Sequence, residues 1–221
     1  MRWVLERTRQ VVPTAIVPLP DDRHHLAADF LARACVEHPL LPYLIPVRAA
    51  RTRQALAHAG LALIELGVHC GEVDVTEGRL DGMAIWLAPS ASWSSPTRRL
   101  RVVRLAAALG LSADGFVRCL RMAHNLERVE HRALPTARRD LLLMAIHPDR
   151  RDKGIEERLL QAGLRRADAE GLPTATVCYR AAPVLFFTRF GFRVVGDGDL
   201  PGGGPRYWLM TRQPAGRCPQ E

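Results

Sequence analysis

Lysine is almost missing from this chain. Thirty-one of its 221 residues are basic, yet Lys153 is the sole lysine and the others are arginine. Such a skew reads as the codon bias of a GC-rich genome more than as selection for phosphate contacts. The arginines are scattered, in short pairs such as Arg98-Arg99, Arg138-Arg139, Arg150-Arg151 and Arg165-Arg166. Aromatic residues are scarce at 6%, and none is interleaved with the basic pairs as a platform for stacked bases. The net charge of +8 and pI near 10.0 therefore favour an acidic small molecule or cofactor over nucleic acid as partner.

Other absences narrow the classes further. The five cysteines (Cys35, Cys70, Cys119, Cys178, Cys218) are odd in number and show no C-x-x-C spacing. That argues against a disulfide framework and a zinc site, and predicts a reducing cytoplasm. The N-terminal MRWVLERTRQ has no apolar signal core, and no apolar run reaches the length that spans a bilayer. The expected partner is a small-molecule substrate, with neither nucleic acid nor membrane, and a homodimer left open.

What is present is an α/β pattern. Residues 1–13 read as an extension, 14–213 as one domain and 214–221 as a flexible tail. A strand over 14–18 leads to Asp21-Asp22, which suit a helix N-terminus, and to HHLAADFLARACVEH with apolar residues at helical spacing. HPLLPYLIP reads as a packed loop. A helix follows over 47–67, ended by Gly67. Strands over 72–76 and 80–89, a Ser-rich loop over 90–96, and helices over 98–110 and 113–130 come next. DLLLMAIH (140–147) is an unbroken apolar run, which fits a central strand buried on both faces. A helix over 154–170 stops at Gly171. Strand 174–179, a short helix over 183–190, and strands 192–195 and 207–211 complete the order, with Gln213 onward frayed.

One junction carries chemistry. The strand ends at Pro148, and DRRDKG leads into the next helix. A helix N-terminus presents unpaired N–H groups and partial positive charge, and a loop wrapped on it can hold a pyrophosphate. Arg150, Arg151 and Lys153 would add charge-assisted bonds.

The spacing Arg151-x-x-Gly154-x-Glu156 after that strand resembles motif A of the GNAT N-acetyltransferase superfamily, R/Q-x-x-G-x-G/A. VLFFTRFGFRVV resembles its short helix and strand, F-Y-x-x-x-G-F. GPRYWLMTR, GMAIWLAP, EHPLLPYLIP and ADAEGLP resemble a branch that includes puromycin N-acetyltransferase and actinomycete relatives. The likeness spans about Ala15 to Arg212.

The resemblance implies a mixed sheet split between the fourth and fifth strands and flanked by helices. It implies acetyl-CoA or another acyl-CoA lying across the split. The backbone of Met144, Ala145 and Ile146 would pair with the pantetheine, and Arg150, Arg151, Lys153 and Gly154 would hold the pyrophosphate. Phe187 would lie beside the departing thiolate.

Departures from the pattern cluster on that cofactor. Glu156 stands where Gly or Ala is usual, and two like charges about 4 Å apart repel by roughly 4 kcal/mol at an effective dielectric of 20. Phe187 replaces the tyrosine acid, Pro183 an asparagine, and Val177 a glutamate. His131 and His38 are the candidate bases. Tyr43, Trp86 and Trp93 are candidates to line an acceptor pocket, and Cys178, on the strand bordering the split, is a candidate to meet substrate as a nucleophile, or else a buried thiol. Glu127 and Glu130 read as solvated helix residues.

The expected function is acyl transfer to a small amine, such as an antibiotic or other secondary metabolite, by direct attack. The alternatives are a diverged biosynthetic enzyme that uses the same cleft without acetyl-CoA, for cyclisation, rearrangement or decarboxylation, and a non-catalytic metabolite-binding protein.

Overall fold

A computed structural model describes residues 15–45, 52–89, 98–150 and 154–216. In chain order the elements are β1 (Ile16–Pro18), α1 (His24–Ala34), α2 (Leu40–Leu44), α3 (Thr52–Cys70), β2 (Gly71–Thr76), β3 (Gly82–Leu87), α4 (Arg98–Ala108) and α5 (Ala113–Ala133). There follow β4 (Arg139–Ile146), α6 (Ile155–Glu170), β5 (Thr174–Cys178), α7 (Ala181–Thr188), β6 (Arg193–Asp199) and β7 (Arg206–Arg212). The strands form one mixed sheet in the order β1-β2-β3-β4-β5-β7-β6. Among the described residues only the β4–β5 pairing is parallel. It needs the crossover helix α6 between its strands.

The two faces are covered by different helices. On one, Leu159 and Leu160 of α6 and Phe187 of α7 pack on Trp86, Leu141 and Met210. On the other, α1 and α3 cover β2–β4 through Phe30, Leu31 and Ile64. Beyond the split the same face is covered by α2, α4 and α5, where Tyr43, Val102 and Leu126 meet Tyr207 and Val177. The apolar run of β4 is explained by this double cover.

Charged side chains lock the lower half of β4. Arg139, on its first residue, donates to Glu170 of α6 at 2.6 Å and to Glu72 of β2 at 2.9 Å. Arg166 of α6 reaches Glu72 and Asp74. Arg138, almost fully buried, bridges Glu130 (3.1 Å) and Asp140 (2.7 Å). Glu130 is thus a buried ion-pair partner, contrary to its expected solvation.

Other expectations need correction. Gly67 does not end α3, which continues to Cys70. A Cβ at Gly67 would lie 2.6 Å from Val73 and 2.7 Å from Ile85, so the glycine lets the helix press onto the sheet. HPLLPYLIP contains the short helix α2, with Pro42 in its first turn, where no N–H partner is lost. Asp21 and Asp22 lie in a 3-10 turn and make no side-chain cap. The strand expected over 192–195 extends to Asp199 as the sheet's edge. The tail begins tied, since the Ala215 amide donates to Asp168 at 2.8 Å. The extension over 1–13, Val47 to Arg51, the Ser-rich loop, Trp93, Arg151 and Lys153 lie outside the described residues.

Candidate active site

The central feature is a split in the sheet. β5 pairs with β4 over only three positions, Arg139↔Thr174 to Leu141↔Thr176. The Thr176 hydroxyl donates to the Leu141 carbonyl at 3.0 Å, on the last rung. Above it β4 runs on for five residues against β3 alone. A bulge lies there, because Ile85 faces Leu143 while Trp86 faces Leu141. Leu142 is the extra residue, and Leu142 and Leu143 both pack towards α1 and α3. Leu142, Leu143 and Met144 are only half-buried, in the middle of a seven-stranded sheet. An opened strand edge of this kind can pair with an extended ligand through its backbone. Met144, Ala145 and Ile146 are on that stretch.

At the top of β4 the chain turns into the loop identified from sequence. His147 donates its amide to the Asp81 carbonyl at 2.8 Å, and a 3-10 turn covers Pro148–Arg150. Arg150 lies 3.6 Å from Asp81, which takes up part of its charge. Gly154 is the N-cap of α6, with φ +68°, and a Cβ there would meet nothing within 4 Å. The left-handed backbone explains the glycine, and the open space suits an anion over the first free amides of α6. Glu156 is the second residue of the helix and half-buried, whereas Glu157 is engaged by Arg189 at 2.9 Å. A groove of about 610 Å³ lies beside the loop, between α1 and the β2–β3 turn, and Arg150, His147 and Phe30 line it.

Across the sheet, the mouth of the split is framed by the α1–α2 connection and the end of β5. His38 stands edge-on to Tyr179, ring centroids 5.5 Å apart. Its Nδ1 accepts the Leu40 amide at 3.3 Å, which places the proton of the neutral ring on Nε2. Burial, then the nearby Arg180 charge, hold the imidazole down at about 4, so it is neutral at physiological pH. Arg180 donates to the Glu37 carbonyl and ties the end of β5 to this connection. Tyr43 gives its hydroxyl to the Pro201 carbonyl at 2.6 Å and joins α2 to the β6–β7 loop. Burial raises the Tyr43 phenol, while Arg118 and Arg121 of α5 oppose the rise.

The sequence candidates therefore separate. Met144, Ala145, Ile146, Arg150 and Gly154 gather at the split and its loop. His38 and Tyr43 gather on the opposite face. His131 does neither: it is exposed on the last turn of α5, 3.9 Å from Glu127, beside the start of β4. Met144 lies about 17 Å further along the strand, five residues at about 3.3 Å each. Trp86 lines no pocket. It is wholly buried under α6, so tight that a Cβ on Gly163 would fall 2.1 Å from its ring. Cys178 is also buried, with Met210 sulfur 3.9 Å away, and burial pushes its thiol up to about 12. Such a thiol is neither nucleophile nor ligand. Phe187 is a core residue between Phe186 and Phe192, each ring 5.3 Å away. Pro183 falls in the first turn of α7, where its missing N–H costs nothing.

Tyr179 and Arg180 were not singled out from sequence. The available signal was their position, straight after an apolar strand that borders the split. Among the described residues no cluster of His, Cys, Asp or Glu could hold a metal ion. Nor is any helix among them long and apolar enough to cross a membrane.

No family model matches the sequence. Solved structures do share the fold. A histone acetyltransferase HPA2-related acetyltransferase from Corynebacterium glutamicum superposes with a TM-score of 0.68 at 20% identity, over 94% of this chain and 99% of that one. Arylalkylamine N-acetyltransferase 2 from Aedes aegypti gives 0.61 at 10% identity, over 91% and 99%. The C-terminal condensation domain of Ebony, in complex with β-alanyl-dopamine, gives 0.63 at 12% identity, over 90% and 98%. The seven-stranded mixed sheet with its β4–β5 split is the GNAT fold.

Proposed function

We propose that this chain is an acyl-CoA-dependent N-acyltransferase acting on a small amine, by direct attack within a ternary complex. The observation that carries the reading is the opened upper edge of β4, followed along the chain by Gly154 and the free amides of α6. Neighbours of the same fold include an arylalkylamine N-acetyltransferase, which supports an amine acceptor. The motifs quoted above add a likeness to enzymes that modify antibiotics and other secondary metabolites in the cytoplasm.

The residues fit such a cofactor in shape. Gly154 leaves open space over the helix end, and the half-buried edge at Leu142 to Met144 leaves room beside β4. They fit less well in charge, because Glu156 adds a carboxylate near the same amides. Acyl-CoA, when bound, would supply the acyl carbon as a thioester for the amine nitrogen to attack, with the CoA thiol as leaving group and the proton lost by nitrogen balancing the one gained by sulfur.

The chain's own part is to bind, orient and exclude water. Met144, Ala145 and Ile146 would align the extended arm by backbone bonds. Arg150, with Arg151 and Lys153, would hold the phosphates. His38 is not the base in this arrangement, since its Nδ1 is engaged by the Leu40 amide and its Nε2 carries the proton, and His131 is remote, so water would take the amine's proton. Titration calorimetry of acetyl-CoA, followed by release of free thiol with a panel of amines, tests the reading. Absence of both binding and release would remove it.

A second reading has its own support. Glu156 sits at the phosphate end, Phe187 carries no hydroxyl, and a condensation domain shares the fold. In that reading the cleft serves a reaction without acetyl-CoA, or holds a metabolite without turning it over. Product formed from amines in the absence of any CoA ester would favour it.

A further inference from the structure

A thioester threaded through the split from the α6 side would be approached from the opposite face. What lines that approach is uneven in charge. Arg180 is held at the rim by its bond to the Glu37 carbonyl, one residue from His38. The guanidinium has five N–H groups, and this bond uses one of them. Arg118 and Arg121 of α5 lie near enough to act on the Tyr43 phenol, and the first turn of α5 packs on α2 so closely that a Cβ on Gly115 would fall 2.5 Å from the Leu44 carbonyl. His38 has its Nδ1 committed to the Leu40 amide, so its remaining ring nitrogen is a donor. The phenol of Tyr43 is committed to Pro201.

Carboxylates on the neighbouring elements pair elsewhere or face solvent, as Asp114 does on the first turn of α5. Asp197 is paired with Arg206 on the β6–β7 hairpin. Asp199 acts on Tyr207, beyond Tyr43. The Glu37 side chain is exposed, and the contact made by that residue is through its carbonyl.

We propose that the acceptor face takes an amine bearing an anionic oxygen group, a carboxylate or a phosphate, which Arg180 grips while the Nε2–H of His38 donates to one of its oxygens. This rests on the acyl-transfer reading above and names the substrate class for the same cleft. Arg180 is the specificity determinant, with Arg118 as a longer-range contributor. A donor pair of this kind rejects an analogue that lacks the oxygen acceptor, because the site's polar groups are then left unpaired. A simple hydrophobic amine gains nothing from it.

The test uses the full chain and matched amines: an amino acid, its carboxamide, its decarboxylated amine, and an aminoalkyl phosphate. Thiol release from acetyl-CoA gives kcat and KM for each, and calorimetry gives acetyl-CoA binding independently. The expected result is a kcat/KM at least about tenfold higher for the anionic amines than for the neutral pair, carried mainly by KM. Whether carboxylate or phosphate ranks first identifies the source of the anion. In Arg180→Gln the preference should fall to within about twofold, and Arg180→Lys should restore part of it while leaving acetyl-CoA affinity unchanged. Equal turnover of neutral and anionic amines by the native protein overturns the proposal and leaves acyl transfer standing.

If the native protein neither binds acetyl-CoA nor releases thiol, the acyl-transfer reading fails separately. Direct titration of the same four amines then decides the anion site. Anion-selective binding lost in Arg180→Gln sustains it, and no binding, or binding without selectivity, overturns it.

Discussion

Arg212 on β7 holds Asp168 on α6 with both guanidinium ends, Nη1 to Oδ1 at 2.7 Å and Nη2 to Oδ2 at 2.9 Å. Oδ1 also accepts the Ala215 amide at 2.8 Å. The pair fastens the half of the sheet beyond the split to the helix that starts at the split, so it braces the cleft from behind. Arg212 and then the Ala215 amide hold the Asp168 carboxyl below its usual 3.8.

The sign of the pH dependence follows. A depressed carboxyl stabilises the fold above the unfolded value, and that contribution fades as pH falls below about 4. Asp168→Asn should therefore lose on the order of 1–3 kcal/mol at pH 7, the worth of a charge-assisted hydrogen bond. The gap to the native protein should close towards pH 3. Urea midpoints measured across that range check it. A gap that persists unchanged at low pH would mean that the carboxylate's charge is irrelevant.

Gly163 and Trp86 give a second expectation. The built Cβ at 2.1 Å from the indole overlaps a ring that is wholly buried and has nowhere to move. Gly163→Ala raises helix propensity, by about 1 kcal/mol, but overpacking costs roughly 1–3 kcal/mol and should win. A lower chemical midpoint with a shifted tryptophan emission is expected. A stabilised variant would show that α6 can lift from the sheet at this point.

The order of elements along the chain and most helices were legible because their signals are local. DLLLMAIH announced a strand covered on both sides, and Gly171 ended its helix in the left-handed conformation as its spacing implied. The split was legible only through resemblance, since nothing in DLLLMAIH or TATVCY says where two parallel strands part. Packing against distant partners was the other blind spot. Gly67 looks like a helix stop until Val73 and Ile85 are placed beneath it. Glu130 looks solvated until Arg138 closes over it, and Trp86 looks like a pocket wall until α6 covers it. His38 was a candidate from its loop, but its partner Tyr179 lies far along the chain, and the tautomer depends on the Leu40 amide.

That histidine yields a third expectation. Its folded value of about 4 lies below the unfolded 6.5, so the folded state resists protonation. The neutral ring contributes fully above about 6.5, and stability is lost as pH falls from there towards 4. Between pH 7 and pH 5 the loss from this group is about 2 kcal/mol. His38→Gln should flatten that part of the stability profile. Nitrogen-detected NMR at pH 7 should show a neutral ring with the proton on Nε2. A ring that titrates near pH 6.5 would remove both the pH slope and the donor role assigned to His38.

Glu156 bears most directly on the cofactor. It is the second residue of α6, where a carboxylate favours the helix through the macrodipole by about 0.3–1 kcal/mol. The same carboxylate competes with any phosphate placed over the free amides. In a half-solvated position the repulsion is nearer the aqueous figure of about 1 kcal/mol at 4 Å than the several kcal/mol of a dry site. Glu156→Gly should then tighten acetyl-CoA about fivefold while lowering thermal stability slightly, and Glu156→Gln should recover most of the tightening without the glycine's cost to the helix. Calorimetry of the three proteins side by side checks this. Equal affinities would mean the side chain turns away from the phosphates. Binding seen only in the two variants would mean the native carboxylate closes the loop to acyl-CoA, and the cleft would then have to work on a substrate that brings no pyrophosphate.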